Sequence, residues 1–282
     1  MIEKQPSQTA VGAAGYRAAH QVLDGGTVFR DPFALQILGS GGEAIVADLT
    51  ADPVHTPMRL FMAARSRFAE DSLTAAVSRG VRQAVILGAG LDTFAFRNPH
   101  VAQGLRVFEV DHPATQAWKR RRLIEVGIAT PPNLIFAAID FESQGLLQEL
   151  QAAGFDPRLP AFFIWLGVVP YLRSTAITAT LCDIARVPGS EVVFDYSEPL
   201  ENYPPARRAE AAALGAWVAG LGEPWLTHFD PPAIARDLQD LGFGDQEDLD
   251  TPGIATRYFG APPRAASGGG LHVIRARQAR RL

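Results

Sequence analysis

Residues 84–97 read AVILGAGLDTFAFR, and the fold turns on how they are taken. Ala84, Val85, Ile86 and Leu87 form a short apolar run without polar alternation, the pattern of a strand buried on both faces. The run breaks into Gly88-Ala89-Gly90, where absent side chains let the backbone turn sharply and come close to a ligand. A dinucleotide loop would continue G-x-G-x-x-G, the third glycine allowing tight helix packing beneath a pyrophosphate. Leu91-Asp92-Thr93 stands there instead. The missing glycine counts against a phosphate-bearing ligand, and the loop by itself equally suits a plain strand-to-helix turn.

Moving outward, the same grammar repeats. LRVFEVDH, LIFAAIDF, AFFIWLGV and SEVVFDYSE read as further strands, separated by helical segments such as HPATQAWKRRRLIEVG and STAITATLCDIARV. Strand-helix alternation with strands this apolar predicts an α/β fold, a parallel sheet covered by helices on both faces. Residues 1–80 read instead as helices, including AAGYRAAHQVL, a helix capped by Asp31 with Pro32 at its first position, and a long stretch from TPMRLF to Gly80. Residues 81–198 form the expected core. Residues 199–229, rich in Pro and aromatics with one helical piece at 206–220, are expected to be an insertion capping the site. Residues 230–282 return to the core with a helix and two strands, near QEDLDT and at LHVIRAR, with GAPPRAASGGG expected as a loop between them.

Ligands of open α/β sheets bind beyond the carboxyl ends of the strands. Besides the glycine loop, two acids fall there. Asp111 closes the second strand about 20 residues after the loop, where a carboxylate can accept from both hydroxyls of a ribose. Glu109 lies on the same face and deeper. Asp140-Phe141 ends the third strand, where an acid can accept from an exocyclic amine and a ring can pack on adenine. Each position has a plainer role as a helix N-cap, Asp111 before His112-Pro113 and Asp140 before SQGLLQEL. Together, the three strand ends describe a nucleoside site with no phosphate requirement, for which S-adenosylmethionine is the obvious ligand.

Composition narrows the classes. With 26 Lys plus Arg against 30 Asp plus Glu, the net charge is −4, which leaves no footprint for nucleic acid. Cys182 is the one cysteine, so neither an internal disulfide nor a cysteine metal site is expected, in keeping with a reducing cytoplasm. The N-terminus lacks the apolar run of a signal peptide, and no stretch reaches the roughly 20 apolar residues of a membrane span. The 6 histidines show no metal-binding spacing, so no metal is expected.

The segments GVRQAVILGAGLDTFAFR, FEVDHPATQAWKRRRL, FAAIDF, WLGVVPYL and SEVVFDYSEP follow one another in an order that resembles bacterial S-adenosylmethionine-dependent methyltransferases of the leucine carboxyl methyltransferase family. The resemblance extends from GYRAAH and DPFA to GEPWLTHFDP and DLGF. It implies a Rossmann-like class I methyltransferase: a mostly parallel seven-stranded sheet with a helical N-terminal cap and an insertion after the fifth strand. It implies Gly88, Ala89 and Gly90 along the methionine part of the cofactor, Asp111 with His112 at the ribose, and Asp140 and Phe141 around the adenine. Arg65 matches an arginine that grips the cofactor's carboxylate, as a bidentate guanidinium can, and Arg17 is a second basic contact. For both arginines the plainer role is a helix-surface salt bridge. Two positions depart from the family pattern. Leu166 stands where relatives carry a Glu that meets the cofactor's ammonium, which leaves backbone carbonyls near Gly88 or Leu166, or another acid, for that contact. Phe94 stands where relatives often have Arg.

The resemblance implies O-methylation of a small molecule, with a carboxylate, to which the family name points, as the leading acceptor; a carboxylate needs no base. A phenol or alcohol acceptor, a nicotinamide-dependent dehydrogenase and a non-catalytic binding protein are the alternatives. Tyr171 and His228 are the candidate catalytic residues, His228 as a base. Tyr196, Glu198, Tyr203, Trp217 and Trp225 are further candidate acceptor contacts, each also explicable by packing.

Overall fold

Strand β1 (Gln83–Leu87) is buried along its whole length and lies in the middle of the sheet. It pairs in parallel with β2 (Arg106–Asp111) on one side and β4 (Ala161–Trp165) on the other. The computed structural model describes residues 7–140, 145–220, 222–264 and 268–278. Beyond β2 lies β3 (Leu134–Ala138), and beyond β4 lies β5 (Glu191–Ser197), both parallel. Two later strands, β6 (Asp245–Leu249) and β7 (Leu271–Arg277), complete seven in the order β3-β2-β1-β4-β5-β7-β6. Only β7 runs against its neighbours, pairing antiparallel with both β5 and β6. The strand order reverses between β1 and β4, so a crevice opens there at the carboxyl ends.

Period-2 alternation divides the central strands between two cores. Val85, Leu87, Phe108, Phe163 and Phe194 face α5 (Leu146–Ala152), α6 (Ser174–Ala185) and α8 (Pro231–Asp240). Ala84, Ile86, Val107, Phe162 and Val193 face α3 (Thr56–Ser78) and α9 (Thr251–Phe259). A third cluster joins Ala14 and Ala18 of α1 (Gln8–Leu23) and Val46 of α2 (Gly42–Ala51) to Leu91 and to Leu123 of α4 (Pro113–Glu125). This last cluster fastens the N-terminal helices directly to the loop after β1. Residues 205–220 form α7 (Pro205–Gly220). Among the described residues, no helix is long and apolar enough to cross a membrane.

Two expectations change. No α-helix follows Asp31; residues 32–35 turn and a 3-10 helix runs Gln36–Gly41, interrupted at Gly39 with φ 73. The Asp31 carboxylate accepts from Phe33 N but is drawn chiefly into a buried tertiary network, so the Asp-Pro start signal is real and the helix is not. Between β6 and β7 the chain forms α9 before the loop. Its signals were in the sequence: Asp250 caps Gly253 N at 2.7 Å, Pro252 sits in the first turn, and Gly260 closes it at φ 67. Of the expected loop, residues 265–267 lie outside the described part.

Candidate active site

The crevice at the carboxyl ends of β1, β2 and β4 is a cavity of about 580 Å³, within the range of small-molecule sites. The loop after β1 forms one wall. Gly88 has φ 65, and a Cβ there would sit 2.3 Å from Val168 Cγ2, so both its conformation and the close wall require glycine. Gly90 N donates to Asp111 Oδ2 at 2.6 Å, and His112 N donates to Asp111 Oδ1 at 2.7 Å. Asp111 does not cap α4: His112 does, its Nδ1 accepting from Ala114 N at 3.3 Å ahead of Pro113. With one donor on each oxygen, the Asp111 carboxylate keeps lone pairs for two further hydroxyls. Burial lifts its pKa above the ordinary range, against the pull of the two N–H groups.

Asp140 lines the same cavity. It does not cap the next helix either, since the N-cap of α5 is Gly145 and carries no side-chain bond. Phe141, expected beside it, lies outside the described residues.

Leu91-Asp92-Thr93 anchors the loop to three places. Leu91 O accepts from Arg17 Nη2 at 2.7 Å, Asp92 O accepts from Lys119 Nζ at 2.7 Å, and Thr93 Oγ1 donates to Asp31 Oδ1 at 2.7 Å. Arg17 is no surface pair. It is buried, its Nε bonds Asp31 at 3.0 Å, and it also lines the cavity. Lys119 forms a buried pair with Glu109 at 2.6 Å. Burial pushes Glu109 up to about 7 against the opposing Lys119 charge. Phe94 is 2% exposed and packs in the core beneath α3; its role is packing.

Arg65, from the middle of α3, is buried and paired with Asp195 of β5. Asp195 also accepts from Gly167 N at 2.5 Å, and a Cβ on Gly167, at φ 69, would lie 2.9 Å from Arg65 Nη2. The strand-end turn Leu166-Gly167, the arginine and the aspartate thus form one unit. Sequence reasoning missed Asp195; an acid inside the apolar run EVVFDY was its signal. Leu166 lines the cavity and packs against the second core.

A smaller chamber of about 90 Å³ adjoins the first, sharing Thr9, Ala13, Arg65, Gly167 and Tyr171 with it. Tyr171 therefore stands between the two, and burial raises its pKa so that the hydroxyl stays protonated. Tyr196 and Trp225 line the smaller chamber. Glu198, Tyr203 and His228 line neither. His228 is exposed, with Nδ1 2.8 Å from Ser197 Oγ, so the structure does not bring the expected base to the site. The Trp217 side chain lies outside the described part. Among the described residues, no group of three His, Cys, Asp or Glu is placed to hold a metal ion.

Glu223, also unforeseen, lines the cavity. Its carboxylate accepts from Gln8 N at 3.0 Å, from Thr9 N and Ser7 Oγ at 3.2 Å, and from Thr9 Oγ1. An acid at a helix N-terminus satisfies otherwise orphaned donors and the dipole together. Leu226 N and Thr227 Oγ1 bond Pro170 O and Leu172 O, at 2.6 Å each, which pins the same segment to the end of β4.

A family profile described as leucine carboxyl methyltransferase matches residues 10–185. The chain belongs to the leucine carboxyl methyltransferase family. As a member it is an S-adenosylmethionine-dependent methyltransferase, and the dehydrogenase alternative falls. A Mycobacterium tuberculosis protein, provisionally named an S-adenosyl-L-methionine-dependent methyltransferase, is 34% identical over 94% of this chain and 91% of its own length. A Bacillus subtilis protein with the same provisional name is 33% identical over 70% of this chain; the match spans 65% of that protein, just under two thirds. Among solved structures, a provisionally named methyltransferase from Thermobifida fusca superposes with a TM-score of 0.55 at 20% identity, covering 98% of this chain and 96% of its own. A DUF574 family protein from Streptomyces avermitilis gives 0.53 at 16% identity over 95% of this chain and 97% of its own. These two likenesses are of fold.

Proposed function

We propose that this methyltransferase esterifies the carboxylate of a small molecule. The observation that carries this is the junction of the two cavities, where Tyr171 stands and no histidine does. A carboxylate is already ionised at neutral pH and needs no base, whereas a phenol or alcohol gains from one. Tyr171, held protonated, is suited to donate to an acceptor oxygen and orient it.

The larger cavity fits the cofactor. Asp92, Asp111, Asp140 and Glu223 line it against Arg17 and Arg65, a balance that suits a net cation and opposes a pyrophosphate. Within it, Gly88, Ala89 and Gly90 offer backbone to the methionine portion. Asp111, braced by Gly90 and His112, is the ribose acceptor. Asp140 stands at the adenine end, with Phe141 of the same strand end assigned there from sequence. Arg65 takes the cofactor's carboxylate, its buried Nε being without a partner among the described residues. Arg17 contributes chiefly by holding Leu91 and Asp31. Leu166 offers its backbone carbonyl to the ammonium.

When bound, the cofactor supplies an electrophilic methyl: an acceptor oxygen forms the new O–C bond while the S–C bond breaks and its electron pair stays on sulfur. The chain aligns the acceptor, excludes water and moves no proton. Isothermal titration with S-adenosylmethionine and S-adenosylhomocysteine, followed by ester detection over a panel of acids and phenols, tests this. Binding with ester formation is the expected result. Failure to bind either compound sinks the cofactor assignments, and binding without transfer to any acceptor favours a non-catalytic role.

A further inference from the structure

We infer that the smaller chamber receives the acceptor's body, and that the acceptor is a compact, apolar monocarboxylic acid with no second charge. This rests on the carboxylate assignment above. Met58, Phe61 and Met62 of α3 and Leu214 and Val218 of α7 line the chamber with Trp225. Three polar groups among its walls are spent within the protein. The Tyr16 hydroxyl is 3.0 Å from His55 Nδ1, the Tyr196 hydroxyl donates to Asp248 at 2.5 Å, and the Thr9 hydroxyl donates to Glu223. None of those three partners lines the chamber.

Among the described residues, its charged walls are Arg65 and Asp195, which neutralise each other. A second charge on the acceptor would therefore leave water without a counter-ion, which disfavours its binding. The carboxylate itself belongs at the shared edge by Tyr171, where it faces the cofactor cavity. At about 90 Å³ against about 580 Å³, the chamber suits a short branched or single-ring body. Met58 and Met62 allow some adjustment, because unbranched thioethers repack readily. Two of the walls belong to α7, so the segment after β5 sets acceptor size.

The test is titration of acids into the protein saturated with S-adenosylhomocysteine. 4-Methylpentanoic and phenylacetic acids are expected to bind saturably, and succinate and free leucine at least tenfold more weakly. Val218→Trp fills the chamber and is expected to weaken the two apolar acids at least tenfold while S-adenosylhomocysteine affinity stays within twofold. Leu214→Trp, at a half-buried position, serves the same purpose if the first variant fails to fold. Equal or tighter binding of succinate or leucine, no binding of the apolar acids, or indifference to both substitutions would overturn the inference. The two proposals fail separately. Methylation of 4-methylphenol but not of bound phenylacetic acid removes the carboxylate reaction and keeps the apolar chamber. Esterification of succinate in preference to the apolar acids removes the chamber and keeps the reaction.

Discussion

Asp111 is oriented by the backbone around it. Its oxygens accept from Gly90 N and His112 N, which fixes their direction and leaves lone pairs directed elsewhere. The neighbouring His112 takes over the helix cap, so the aspartate is not needed for it. Replacing Asp111 by Ala removes the hydroxyl acceptor and unties Gly90, and S-adenosylmethionine affinity is expected to fall at least tenfold, about 1.4 kcal/mol. Titration calorimetry reads this directly; an unchanged Kd removes Asp111 from the ribose role. The position of this acid was legible because it follows a strand and a glycine loop at a telling distance. Its freedom from capping was not, because Asp111 and His112 are both plausible caps by sequence. Arg65 and Asp195 were harder still. They are 130 residues apart, and only the packing of α3 across β4 and β5 makes them partners.

At the scale of elements, two segments distant in sequence meet beside the site. The first turn of α1 and the stretch around Glu223 meet through one carboxylate. Both contribute walls to the larger cavity, and loosening the contact is expected to ease the passage of a ligand. Glu223→Ala leaves Ser7 to cap Ala10 but removes the acceptor for the Gln8 and Thr9 amides. S-adenosylhomocysteine is then expected to dissociate at least fivefold faster in stopped-flow measurements, and amides 8–10 to exchange faster with solvent. Identical rates in the variant would show that the contact does not govern passage. The central strands were readable because burial on both faces makes them nearly continuous in apolar residues. The Glu223 contact was not, since an exposed-looking Gly-Glu-Pro carries no local mark of a partner more than 200 residues away. The helix α9 was harder to read for a different reason: its Asp250-Thr-Pro start and Gly260 stop are clear, but it is only 9 residues long and wedged between two strands.

Across the whole molecule, the antiparallel edge β5-β7-β6 is joined by a partly buried polar cluster as well as by its hydrogen-bond ladder. His272 of β7 lies between Asp248 of β6 and Glu198 just beyond β5, 3.0 Å from each, and its ring stacks on Tyr196 at 4.7 Å. The Tyr196 hydroxyl donates to Asp248 as well. Burial works to strip the proton from His272, but the two carboxylates outweigh it and hold the pKa above the ordinary 6.5. A histidine whose pKa rises on folding stabilises the fold fully below its unfolded pKa and loses that contribution as pH climbs through the folded one. Stability from this cluster is therefore complete below pH 6.5 and drains away above it. Urea midpoints measured between about pH 6 and about pH 8.5 are expected to fall for the native chain and to fall less for His272→Gln, which keeps a polar side chain without the titration. Other groups titrate in this range, so the difference between the two slopes is the quantity that matters. Equal slopes would mean that the imidazole stays neutral between its two carboxylates, and that the far edge of the sheet is held by its ladder and packing alone.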